Sequence, residues 1–160
     1  MLESDIIILR KRGFEVAKGW EDKDIHLPER KTAHSAGYDI EAAEDTLVPA
    51  FKAGCNPTLI PTGLKAYMQD DEMLLLYNRS SNPGKKGLVL ANGVGVVDKD
   101  YYGNPDNDGA IMFAFFNLRD EDVEIKKGDC IGQAIFEKYM VTDDDVASGE
   151  RLGGFGSTSK

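Results

Sequence analysis

The chain has 160 residues, of which 41% are hydrophobic, and a formal net charge of −9. This is the length of one domain, with enough apolar side chain for a sizeable core, so wholesale disorder is excluded. The acidic balance repels nucleic acid and anionic membrane surfaces at long range, yet it leaves room for a small anion held in a local nest of donors.

The N-terminal segment MLESDIIILRKRG has acids before its short apolar run and bases after it. That order is wrong for a secretory signal and the run is too short, so no targeting segment is expected. No apolar stretch approaches the ~20 residues of a membrane-spanning helix. The two cysteines, Cys55 and Cys130, make no disulfide framework and fit a reduced, cytoplasmic setting, whether of a cell or of a virus-infected host.

Seventeen glycines and six prolines cut the chain into short pieces. The pieces between them are apolar, β-branched or alternating. Residues 6–9 form the first, and residues 58–68 the next, broken at Pro61-Thr62-Gly63. Then come MLLLY at 73–77, LVLANGVGVV at 88–97, AIMFAFFN at 110–117 and CIGQAIF at 130–136. Each has the length of a strand, about 5–10 residues, and none carries an amphipathic helix of more than about two turns. Short strands with close Gly and Pro turns predict an all-β fold, an antiparallel sandwich or barrel with at most one short helix. The domain is expected to span residues 1–141. From residue 142 the chain reads TDDDVASGERLGGFGSTSK, acidic and then glycine-rich with a lone aromatic, Phe155. Composition alone reads this as a frayed tail, and the functional alternative is a flexible lid that orders over a ligand.

Several chemistries fail on spacing. Counting back from Gly84-Lys85 puts Arg79 where a phosphate-binding P-loop needs its first glycine. Asn104, Asp106, Asp108 and Gly109 imitate the start of a calcium loop, but its twelfth position is Phe115 instead of a bidentate glutamate. A polar hairpin tip is the simpler reading. His26 and His34 show no zinc spacing to either cysteine and read as surface residues. The acidic clusters at 70–72, 120–122 and 143–145 read as solvated turns. There is no GxSxG nucleophile elbow, and neither cysteine lies beside a histidine.

Three segments carry more. Asn78-Arg79-Ser80-Ser81-Asn82-Pro83-Gly84-Lys85-Lys86-Gly87 concentrates a guanidinium, two hydroxyls and two ammonium groups just after an apolar strand. Such donors suit phosphate, although a solvated basic turn has the same composition. Residues 93–103, GVGVVDKDYYG, end an apolar strand in a tip with two acids and two aromatics. Asp98 there is either a turn former or a general base that activates water, with an aromatic beside it to pack on a sugar or ring. In the tail, Arg151, Phe155, Ser157 and Thr158 add a charge, a stacking face and two hydroxyls.

Taken in order, these segments resemble the trimeric dUTP pyrophosphatase (dUTPase) family. Ala36-Gly37-Tyr38-Asp39-Ile40 is similar to the first family motif and Arg79-Ser80-Ser81 through Gly87 to the second. Asn92 through Gly103 is similar to the third, Gly128-Asp129-Cys130-Ile131-Gly132-Gln133 to the fourth, and residues 151–158 to the fifth. The resemblance implies a β jelly roll, a homotrimer whose active sites are each built from all three chains, and hydrolysis of dUTP to dUMP and pyrophosphate. It implies Mg²⁺ carried mainly by the substrate phosphates and water, with no direct protein ligand. Asp98 is implied as the general base. Asn92, Gly95, Val97, Tyr101 and Phe155 are implied at the uracil and deoxyribose, Tyr101 flat on the sugar and Phe155 stacked on the base. Arg79, Ser80, Ser81, Gln133, Arg151, Ser157 and Thr158 are implied at the phosphates.

The chain departs from the family pattern in places. The fourth motif commonly reads Arg-Ile-Ala-Gln, where this chain has Cys130-Ile131-Gly132-Gln133. Only Leu152 separates Arg151 from Gly153, one residue fewer than the commonest spacing. Residues 104–108 form an insertion, read as a lengthened surface hairpin loop. The first 30 residues, including Gly19-Trp20-Glu21-Asp22, lie outside the motifs. Two rival functions remain beside dUTP hydrolysis. One is a dCTP deaminase of the same fold, which needs a catalytic glutamate near the hairpin. The other is a nucleotide-responsive interaction protein on this scaffold.

Overall fold

A computed structural model describes residues 9–154 of the chain. Eleven strands run through it: β1 (Gly13–Val16), β2 (Tyr38–Glu41), β3 (Thr46–Val48), β4 (Thr58–Pro61), β5 (Leu64–Tyr67), β6 (Glu72–Asn78), β7 (Leu88–Leu90), β8 (Gly95–Asp98), β9 (Met112–Asn117), β10 (Val123–Ile125) and β11 (Cys130–Lys138). One short helix, α1 (Asn82–Lys86), and a single 3-10 turn, Lys99–Tyr101, complete the list among the described residues. The expected all-β jelly roll is therefore what this chain forms. No helix among the described residues is long and apolar enough to cross a membrane.

All named strand pairs are antiparallel. The largest sheet has the order β2-β11-β6-β8, a second has β4-β9-β7, and β1-β5 and β10-β3 form two-stranded ribbons. The core between them follows from alternation. In β9, Phe113, Phe115 and Asn117 point inward while Met112, Ala114 and Phe116 are partly exposed. Phe113 and Phe115 meet Ile60, Leu74, Leu76, Leu88 and Ile131 in one buried cluster. Burying a Phe or Leu side chain contributes about 1.5–3 kcal/mol, so this cluster dominates the favourable side of folding. Asn117 is buried without cost to hydrogen bonding: its Nδ2 donates to Val48 O and Glu121 O, and its Oδ1 accepts from Arg119 N.

Several sequence expectations need correction. Leu9 lies outside any strand and is exposed, because the first ladder begins only at Gly13, opposite Tyr67; residues 6–8 lie outside the described residues. The run 88–97 is two strands, since Gly93 adopts φ +73° and turns the chain back between β7 and β8. Glu72 is no solvated acid. It is buried, its carboxylate accepts from Arg12 Nε at 2.6 Å and from Gln69 N at 2.8 Å, and it so closes the turn before β6.

The unusual glycine of the fourth motif has a packing reason. β11 carries a bulge between Cys130 and Gly132. A Cβ at Gly132 would stand 2.3 Å from Phe113 Cε1 and 2.8 Å from Tyr77 O. The Phe113 ring occupies the space a side chain there would need.

Candidate active site

A cleft of about 260 Å³ opens beside β8. The hairpin from β7 to β8 supplies Asn92, Gly95 and Val97, and the end of β8 and the turn after it supply Asp98 and Tyr101. Leu76 and Ile111 form apolar wall. The tail returns to the same cleft through Arg151 and Gly154.

Each group is placed by local chemistry. Along β8 the side chains alternate, Gly95 and Val97 inward and Val96 and Asp98 outward, so the carboxylate projects from the strand's final residue. Gly95 sits opposite Leu76 on β6, and a Cβ there would be 2.9 Å from Leu76 Cβ, so the residue type keeps β8 close to the sheet. The 3-10 turn then swings Tyr101 back under the cleft, where it is 8% exposed. Its hydroxyl donates to Ala110 O at 2.7 Å. Burial above all raises the Tyr101 pKa, against a hydrogen bond from Asn107 and the charge of Arg151. The phenol therefore stays neutral at physiological pH.

Arg151 spans the mouth of the cleft. Its Nη2 lies 2.5 Å from Asp98 Oδ2, its Nε donates to Asp100 Oδ1 at 2.7 Å and its Nη1 to Gly153 O at 2.9 Å. The Asp100 hydrogen bond is the chief reason its pKa is raised. The guanidinium lies 5.8 Å from the centre of the Tyr101 ring. The resemblance aims Arg151 at a phosphate; the structure sets its positive fork on the two carboxylates of the hairpin tip.

The basic segment lies elsewhere on the chain. Arg79, Ser80 and Ser81 follow β6 and lead into α1. Buried Asn82 anchors this corner, its Nδ2 donating to Asn78 Oδ1 at 2.8 Å and to Ile131 O at 3.0 Å. Gly87 ends the helix at φ +67°, the left-handed cap that glycine adopts freely. Arg79 and Ser80 are exposed, and Arg79 Nη1 donates to Cys130 O at 3.2 Å. Gln133 stands opposite Asp39 on β2 and Tyr77 on β6. A Cβ on Gly37 would meet Gln133 Oε1 at 2.2 Å, so the first motif's glycine makes room for the fourth motif's glutamine. Thus Arg79, Ser80, Ser81 and Gln133 gather at one end of the β6/β11 pair. None of them lines the Asp98 cleft. Asp98 pairs with Met73, six residues before Arg79. At about 3.3 Å per residue the two groups are separated by about 20 Å along β6.

Phe155, Ser157 and Thr158 lie outside the described residues. Sequence reasoning missed Asp100 as a partner of the tail and Asn107 as a partner of Tyr101. The doublet of acids around Lys99 was a usable signal for the first; the second had none, because the contact depends on how the 104–108 loop folds back. Among the described residues no three His, Cys, Asp or Glu side chains converge in a way that could hold a metal ion.

Comparison with known proteins identifies the family. The dUTPase family model matches residues 23–159. The deoxyuridine 5'-triphosphate nucleotidohydrolase of Lactococcus lactis subsp. lactis (strain IL1403) is 53% identical over 152 residues, covering 94% of this chain and 99% of the relative. The enzyme of the same name from Candida glabrata is 35% identical over 140 residues, covering 83% of this chain and 88% of the relative. The crystal structure of dUTPase from Streptococcus mutans superposes with a TM-score of 0.76 at 46% identity, covering 82% of this chain and 98% of the other.

Proposed function

The chain belongs to the dUTPase family, and from that premise we propose that its cleft hydrolyses dUTP as the magnesium complex to dUMP and pyrophosphate. The enzyme class, a dUTP diphosphatase, follows from the close relatives. The finer chemistry rests on one observation above the rest: an exposed carboxylate, Asp98, stands at the rim of a cleft whose walls include a backbone hairpin and a buried tyrosine.

In the proposed step Asp98 accepts a proton from a water molecule. The water oxygen bonds to the α-phosphorus, the bond from that phosphorus to the bridging oxygen breaks, and pyrophosphate leaves with the electron pair. A positioned base of this kind contributes about 10²–10⁴-fold. Mg²⁺ would enter with the triphosphate as part of the substrate and would supply charge neutralisation on its oxygens. Backbone groups of the hairpin through Asn92, Gly95 and Val97 read the uracil edge, and Tyr101 packs on the deoxyribose and leaves no room for a 2′-hydroxyl. A pocket that hydrogen-bonds its substrate rejects a mispaired base by about 10⁴-fold or more, which disfavours cytosine.

The active enzyme is proposed to be a homotrimer. The separation of Asp98 from Arg79 along β6 supports this, since a single chain holds the base and the basic segment apart. Closed three-fold symmetry repairs the separation by facing the Asp98 cleft of one chain with Arg79, Ser80, Ser81 and Gln133 of a neighbour. The segment from residue 142 onward acts as a lid, with Arg151, Ser157 and Thr158 on phosphate and Phe155 over the base. The product dUMP suits thymidylate synthesis, and removal of dUTP keeps uracil out of DNA. The enzyme is proposed to act in the cytoplasm, where free Cys55 and Cys130 would remain reduced.

The deciding experiment measures pyrophosphate and ammonia release from dUTP, dCTP, dTTP and UTP with Mg²⁺. Pyrophosphate from dUTP alone is expected. Ammonia from dCTP would replace this function with the deaminase, and release of neither product would favour a nucleotide-responsive interaction protein.

A further inference from the structure

We propose that Asn107, in the inserted loop, is a positioning residue that fixes Tyr101 and thereby sets the preference for deoxyribose over ribose. The loop is not the passive surface hairpin its sequence implies. Asn104 is buried, and Asn107 and Asp108 are partly buried. The loop closes on itself through Asp108 N to Asn104 O at 2.8 Å and Ala110 N to Asn107 O at 3.0 Å, and it is tied to the tyrosine's own backbone by Asn104 N to Tyr101 O at 3.0 Å.

The orientation of the Asn107 amide is forced. Gly109 N can only donate, and it donates to Asn107 Oδ1 at 3.0 Å. Asn104 Nδ2 donates to the same oxygen at 3.0 Å. Asn107 Nδ2 therefore faces the tyrosine, and donates to Tyr101 Oη at 2.8 Å. The phenol accepts that bond and spends its single hydrogen on Ala110 O. A hydroxyl with one donor partner in the loop and one acceptor partner just after it has a single orientation, and the ring behind it has a single depth.

Two further anchors hold the loop against the body of the protein. Asp108, at φ +59°, accepts from Lys18 N at 2.9 Å and from Lys65 Nζ at 2.7 Å. Gly109 runs so close beneath the tyrosine that a Cβ would stand 2.4 Å from Tyr101 O. Gly154 of the tail lies against the ring itself, where a Cβ would be 2.7 Å from Tyr101 Cε2. Tyr101 is thus held by the loop at its backbone and hydroxyl and touched by the tail at its ring. A steric filter for one hydroxyl group works only if the wall cannot retreat, and displacements of about 1 Å at a positioning group cost up to about 10²-fold in rate.

This role rests on the sugar-packing role given to Tyr101 above, so the experiment tests both links. The ratio of kcat/KM for dUTP to that for UTP is measured in Asn107→Ala, Tyr101→Phe, the double variant and Tyr101→Ala, with circular dichroism melts as a check of folding. Asn107→Ala is expected to lower the ratio about tenfold, chiefly by raising activity on UTP, and Tyr101→Phe to lower it comparably. In the Tyr101→Phe background, Asn107→Ala is expected to add less than about twofold, because the bond it removes is already gone. A ratio unchanged in a folded Asn107→Ala, or an equal shift in the Tyr101→Phe background, overturns the role of Asn107. Should Asn107→Ala not fold, Asn107→Asp keeps both accepted bonds and replaces the donor with a carboxylate oxygen that cannot donate to Tyr101, and the same outcomes apply. If Tyr101→Ala itself leaves the ratio unchanged, the sugar-packing role fails first, and that failure is visible separately.

Discussion

Arg151 and Asp98 form a direct ion pair across the mouth of the cleft, Nη2 to Oδ2 at 2.5 Å, with the guanidinium also holding Asp100. Its side chain is 12% exposed while that of Asp98 is 53% exposed, so the arginine is the better enclosed partner. A nucleotide entering the cleft offers phosphate oxygens to the same fork. On the proposed function, Arg151 exchanges one anionic partner for another when substrate binds and leaves Asp98 to the attacking water.

Removal of that fork has a defined cost. A hydrogen bond to a charged group contributes about 1.5–3 kcal/mol, or roughly 10–100-fold in an efficiency constant. Arg151→Ala is expected to lower kcat/KM for dUTP by about that factor. Arg151→Lys is expected to recover only part of it, because a lysine keeps the charge without the two-pronged geometry. Steady-state pyrophosphate release checks both; equal activity of the lysine variant and wild type would remove the geometric part of the role.

The distance between the Asp98 cleft and the Arg79 corner gives a test of shared sites. Asp98→Asn and Arg79→Ala are each expected to be inactive as homotrimers. Unfolded together in equal amounts and refolded, they are expected to regain about a quarter of wild-type activity, since that is the chance that both intact groups face one another in a randomly mixed trimer. No recovery in verified mixed trimers would mean that base and basic segment act from one chain.

Gly132→Ala tests the packing account of the fourth motif. The added methyl has to displace the Phe113 ring or the Tyr77 carbonyl. Overpacking of this kind costs about 1–3 kcal/mol. A lower melting temperature is expected, and partial rescue by Phe113→Leu in the same chain. A variant as stable as wild type would show that the bulge on β11 relaxes freely.

The loop anchor predicts a pH dependence. Hydrogen bonding from Lys65 first of all, with help from the Lys18 amide, holds Asp108 below the ordinary carboxylate range despite its partial burial. Burial alone would lower the Lys65 pKa, and the bond and charge of Asp108 outweigh it. A depressed carboxyl contributes stability above its unfolded value, near about 4, and loses it as pH falls through the folded value. The Tm difference between wild type and Asp108→Asn is therefore expected to be largest near neutral pH and to shrink below about pH 4. A difference that stays constant down to about pH 3 contradicts the anchor.

Much of this was legible in the sequence because phosphate and nucleotide chemistry confines certain residues to short strings. The strand runs at 58–68, 73–77, 110–117 and 130–136 correspond to β4 and β5, β6, β9 and β11. The strands β1, β3 and β10 were not legible. They have three or four residues each, and their partners lie far away, Gly13 against Tyr67 and Thr46 against Ile125. Alternation over so few positions carries no signal, and the pairing is decided by tertiary packing. The site shows the same division. Asp98 and Tyr101 stood out by residue type, whereas Arg151 on Asp100 and Asn107 on Tyr101 arise only when distant backbone segments meet.

The central claim is that Asp98 primes water against the α-phosphorus. The most direct measurement pairs pyrophosphate release with calorimetric dUTP binding in Asp98→Asn, a substitution that keeps size and removes basicity. Turnover is expected to fall by about 10²–10⁴-fold with dUTP affinity within about threefold of wild type. Turnover near the wild-type rate with dUTP bound would take Asp98 out of the chemistry.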